Sequence, residues 1–173
     1  MDIYKLKFTV LQLEIFKLFC IKTGQQLSQR QMAGFLNVSP TAVAKSLPLL
    51  VKEGILNVTR GQTNVNFVAL NTESKKVRAW KQSENINHLH SSGLVEFLEK
   101  EFLETTIYLK GSYAIGNDYS GYDLEIVITG SAKYAGKKVD VLQFEKKLER
   151  KIIIHHESKE SDTSLGIFVG GAL

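Results

Sequence analysis

Residues that constrain a chain covalently are scarce here, with one cysteine and two prolines in 173 residues. With Cys20 alone, no disulfide can form within the chain. Its place in the apolar run LFCI makes it a small buried hydrophobe, and a reducing cytoplasm fits. No apolar run is long enough for a bilayer. The strongest, from Val10 to Ile21, is broken by Gln12, Glu14 and Lys17, well short of the roughly 20 apolar residues a span needs. No membrane partner is therefore expected. The opening MDIYKLKF has no apolar h-region, so no signal peptide is expected either. There is no internal repeat and no low-complexity segment. Charge is near balance at +4, but it is uneven: residues 1–90 hold 12 Lys/Arg against 5 Asp/Glu, and residues 91–173 hold 10 against 13. A basic first half suggests a polyanionic partner.

What is present reads as short helices and strands. Residues 8–22 form a helix that is apolar on nearly every face, which predicts burial on most sides, part of it in a homodimer interface. QQLS is a short strand or turn. Residues 28–36 form a second helix, with Ser28 as N-cap, Gln31 completing a capping box, and Met32, Phe35 and Leu36 as its apolar face. Ser39 and Pro40 start a third helix that buries Val43, Leu47 and Leu50 and ends at Gly54. Pro48 lies inside it and predicts a kink or break. Residues 55–70 alternate as two strands around RGQT, a hairpin.

Helix, helix, turn, helix and hairpin is the order of a winged helix-turn-helix. The third helix would enter the major groove of double-stranded DNA, with Ser39, Thr41, Lys45 and Ser46 on its leading and outer positions. Arg60, with Gln62 and Asn64 at the hairpin tip, would reach the backbone or minor groove. The span 8–70, through NVSPTAVAKSLPLLVKEGIL above all, resembles the winged-helix domains of archaeal transcriptional regulators.

Residues 73–90 are polar and helix-permissive, with Val77, Trp80, Ile86 and Leu89 as sparse anchors. SSG interrupts, and LVEFLEKEF restarts a helix. Then follow strand TTIYLKGS, strand YDLEIVITG, helix VDVLQFEKKLER with Asp140 as N-cap, and strand KIIIHH, whose two histidines read as a solvated end. The fold class expected is α+β, in three parts: a winged helix at 1–72, a helical connector at 73–104, and a small α/β domain at 105–173.

Within that last part, Gly111 and Ser112 follow a strand, and Asp123 and Glu125 lie two apart on the next, so both acids point to one side. A Gly-Ser turn can offer N–H and hydroxyl donors to a triphosphate, and paired carboxylates can hold Mg²⁺ ions about 4 Å apart. Gly-Ser, ten residues, Asp-x-Glu resembles the minimal nucleotidyltransferase signature, which ends in Asp-x-Asp. The resemblance covers residues 105–173, and the whole chain looks like archaeal fusions of a winged helix with this domain. It implies a nucleoside triphosphate at Gly111 and Ser112, Mg²⁺ at Asp123 and Glu125, those acids as catalytic residues, and a toxin-like protein partner where such domains act as antitoxins.

The pattern departs from that family at several positions. Glu125 is longer than the usual Asp, Ile115 replaces an arginine, Tyr122 replaces a serine, and Ile153 falls where the family has its third carboxylate. Three readings stand: a DNA-binding regulator with a degenerate nucleotidyltransferase-like domain, an active enzyme that transfers a nucleoside monophosphate, or, as the resemblance implies, an antitoxin that binds a protein partner.

Overall fold

The computed structural model describes residues 8–61, 65–130, 132–157 and 166–172. Packing divides the chain into two compact units, Met1–Val77 and Arg78–Leu173.

In the first unit, each helix begins at a side chain that caps it. Thr9 and Gln12 form a capping box on α1 (Val10–Ile21), and Ser28 and Gln31 do the same for α2 (Gln29–Leu36), which follows the two-residue strand β1 (Leu27–Ser28). Ser39 caps α3 (Pro40–Lys52), with Pro40 as its first residue, where a missing N–H is harmless. Gly54, at φ +68°, ends α3: its N–H reaches Val51 and that of Ile55 reaches Leu50, both at 2.9 Å. The chain then enters the hairpin β2 (Leu56–Arg60) and β3 (Asn66–Leu70), with Leu56 opposite Leu70 and Arg60 opposite Asn66. β1 pairs with the other edge of β3 to complete an antiparallel sheet of order β1-β3-β2. The core is Ile15, Phe19, Met32, Val43, Leu50, Ile55 and Val68, all fully buried. This is a winged helix-turn-helix arrangement.

α1 buries Ile15, Leu18, Phe19 and Cys20 and leaves Val10 and Leu13 73% and 43% exposed. Two expectations for this unit need correction. Phe35 is not in the core of α2; it is exposed, with the Lys22 ammonium 4.9 Å from its ring centroid. α3 does not break at Pro48: the helix runs on to Lys52 with the proline on its exposed side.

The boundary between units falls inside α4 (Lys75–Ser91). The stretch read as a connector supplies much of the second core. Leu89 and, from α5 (Leu94–Glu101) and its exit, Leu94, Val95, Leu98 and Phe102 pack with strand residues Ile107, Leu109, Ile126 and Ile128. The sheet has order β6-β5-β4-β7, built from β4 (Thr106–Lys110), β5 (Leu124–Thr129), β6 (Ile152–Glu157) and β7 (Ile167–Gly171). β4 is antiparallel to both its neighbours, whereas β5 and β6 run parallel and are joined through α7 (Leu142–Leu148). α7 starts later than expected. Asp140 does cap the turn, accepting from the N–H of Leu142 at 3.0 Å, but Val141 is the residue flanking the helix. The glycines of the final apolar run have a packing role: a Cβ at Gly170 would collide with Val95 and Glu99 on α5.

Candidate functional site

The exposed face of α3 is small and basic. The Ser39 hydroxyl accepts from the N–H of Ala42 at 3.1 Å, which leaves its proton free to donate. Thr41 and Lys45, one turn apart, are both exposed. Among the described residues, no carboxylate pairs with Lys45 or with Arg60, which ends β2 in a run of exposed residues from Asn57 onward. Ser46 is not on this face. It is 9% exposed, and its hydroxyl donates to the carbonyl of Ala42, while its own carbonyl accepts from Gln12 Nε2. The helical period turns it inward beside Leu47. Gln62 and Asn64 lie outside the described residues.

In the second unit, β4 delivers Gly111 and Ser112 into α6 (Gly111–Ala114), a single turn. Gly111 has φ +73°, and a Cβ there would stand 2.7 Å from Glu125 Oε1. The Glu125 carboxylate therefore lies against the Gly111 backbone, and only glycine combines that φ with that approach. Asp123 is exposed just ahead of β5, and Glu125 is half-buried within it. Gly111, Asp123 and Glu125 are thus brought to one end of the β4–β5 pair. The parallel register then sets Ile153 directly beside Glu125. A two-metal centre needs further carboxylate or imidazole donors there, and an isoleucine offers none. Among the described residues, no three of His, Cys, Asp and Glu converge as a metal site. The residues present do not fit a pair of Mg²⁺ ions.

Sequence reasoning missed the polar centre directly behind this loop. Asp118, 1% exposed, accepts from three buried donors: the Lys81 ammonium, Asn85 Nδ2 at 2.8 Å and Arg150 Nη2 at 2.9 Å. Asn85 also donates to the carbonyl of Tyr113 at 2.9 Å. Gly116, at φ +72°, brings the loop so close to α4 that a Cβ would collide with the carbonyl of Arg78. The segment between α6 and β5 is therefore held from beneath, while Ile115, Tyr119 and Tyr122 stay exposed on top. One signal was readable. Val77, Lys81, Asn85 and Leu89 recur every four residues in α4, a buried stripe with two polar members. His156, expected in solvent, is half-buried with its ring 5.2 Å from that of Phe102.

No protein-family profile matches the chain, and no curated protein matches it. Several solved structures resemble part of it. A zinc-responsive MarR family member, Lactococcus lactis ZitR, is 20% identical over 58% of this chain and 67% of that one, with a TM-score of 0.43. The adhesin competence repressor AdcR of Streptococcus pyogenes is 24% identical over 57% of this chain and 70% of that one, also with a TM-score of 0.43. S. aureus MepR, solved with DNA, is 16% identical over 54% of this chain and 77% of that one, with a TM-score of 0.40. Against one ZitR variant the chain spans 64% of the structure's length.

Proposed function

We propose that the protein is a DNA-binding transcriptional regulator that places α3 in the major groove of a duplex and the β2–β3 hairpin against its backbone. The observation that carries this reading is the α3 face. A capped helix start presents the Ser39 hydroxyl, Thr41 and Lys45 together, and Arg60 stands on an exposed hairpin in the same unit. Exposed cations without a carboxylate partner are available to phosphates at little desolvation cost. The reading includes a homodimer, because Val10 and Leu13 leave an apolar strip on α1 that a second copy would cover. It assigns the second unit no nucleotidyl transfer, and the register of Ile153 beside Glu125 supports that.

The test is fluorescence anisotropy of the full chain on labelled duplex DNA across a salt series. Affinity should fall steeply with salt. Lys45→Ala with Arg60→Ala should lower the log–log salt slope by about 2, roughly 0.9 for each phosphate no longer neutralised. Affinity indifferent to salt, or a double variant that binds like the parent, overturns the reading.

A further inference from the structure

The loop between the 3-10 turn at Ala132–Tyr134 and α7 stands away from the face of β6 and leaves an open cavity of about 340 Å³. That is the small end of the range for ligand sites, about 300–1,000 Å³. Its apolar wall is Val139 and Val141 from the loop, facing Ile152 and Ile154 from β6. The alternation of β6 explains this, because residues 152, 154 and 156 share one face. Ile152 belongs to the buried core, and Val139, Val141 and Ile154 pack against it, so the cavity has a rigid floor.

The polar lining is of one sign. Lys137, Lys138 and His156 border the cavity, and among the described residues no carboxylate does. The nearest acids in sequence are turned elsewhere. Asp140 accepts from the N–H of Leu142 at the start of α7, and Glu157 pairs with Lys110 at 3.8 Å. Lys137 is held by Glu101 at 2.8 Å, beneath the rings of Phe102 and Tyr134. Lys138, in contrast, is exposed and pairs with no carboxylate among the described residues. Its ammonium is the cation available at the rim, and the His156 ring adds an N–H donor beside Ile154.

We propose that this cavity binds a small organic carboxylate with an apolar body, the body against Val139, Val141 and Ile154 and the carboxylate at Lys138 and His156. Aliphatic walls alone would take any apolar molecule. The one-signed rim selects the anion, since a neutral or cationic analogue gains nothing from Lys138 and a cation is repelled. The site lies wholly within the second unit and does not depend on how the first unit meets DNA.

The experiment is an amide NMR titration of the full chain with 1-naphthoate, with 1-naphthamide as the neutral match. Naphthoate should shift the resonances of residues 138–141 and 152–156 saturably. Naphthamide should bind at least about tenfold more weakly, the scale of one charge-assisted hydrogen bond. Lys138→Glu should weaken naphthoate by a similar factor. Lys133→Glu, an exposed lysine of the same segment outside the cavity, should leave it unchanged. Shifts absent into the millimolar range, equal binding of the amide, or equal effects of the two lysine variants would each overturn the proposal.

Discussion

Asp118 holds two buried cations and a buried amide with one carboxylate, and the sum of formal charges among Lys81, Arg150 and Asp118 is positive. The consequence of removing each partner is therefore unequal. Lys81→Met leaves Arg150 and Asp118 as a balanced pair. Asp118→Ala takes away the carboxylate that both buried cations share. Breaking a buried pair in that way costs about 3–5 kcal/mol, and we expect that loss for Asp118→Ala in urea unfolding, with a clearly smaller loss for Lys81→Met. Equal losses would mean that packing, not charge balance, governs the site. The role of this residue was not legible in NDYSGYD, where Asp118 is simply an acid near Asp123. Its three donors lie 37, 33 and 32 residues away in sequence, and no local pattern reports such distances. Gly111 was read as part of a Gly-Ser turn offering N–H donors to a triphosphate, and in the structure a side chain approaches its backbone. What approaches is the chain's own Glu125.

Among the elements, α3 shows how far local signals reach. The Ser39 cap, Pro40 at the first position and the Gly54 stop were all readable, because each acts within one turn. The break expected at Pro48 did not occur: the helix runs through it, with the proline exposed. The fault still has a cost. Pro48→Ala restores an N–H to the Ala44 carbonyl, and an interior proline is about 3 kcal/mol worse than alanine. Allowing for the freer unfolded chain, thermal unfolding of this variant should show a gain of roughly 1–3 kcal/mol. A loss would show that the proline ring packs well enough to outweigh the missing bond. On α1 the apolar pattern predicts burial on most sides: Ile15, Leu18, Phe19 and Cys20 are buried, and Val10 and Leu13 stay outside the core of the unit.

Across the whole molecule, legibility follows sequence distance. The first unit is built from neighbours, helix on helix and a hairpin, and its order was readable. The second unit was readable as a list of strands but not as a sheet, because β7 returns to pair with β4 across some sixty residues, and β5 and β6 pair in parallel through α7. The boundary inside α4 was hidden for the same reason: the polar residues of its stripe, Lys81 and Asn85, meet Tyr113 and Asp118 some thirty residues on.

That strand order also bears on synthesis at the ribosome. β4 is an inner strand, yet one of its edges has no neighbour until residues 167–171 emerge, long after β5 has covered the other. A nascent chain halted before β7 exposes the hydrogen-bonding edge of TIYLK, the kind of edge that templates aggregation. Ribosome-bound chains halted with residue 160 outside the exit tunnel should therefore resist protease over residues 8–77 and be cut readily within 78–157. Chains released with β7 in place should resist throughout the second unit. Equal resistance before β7 appears would show that three strands suffice. Otherwise the first unit is finished early, and the remainder waits for β7 with an adhesive edge that chaperones or slow translation must shield.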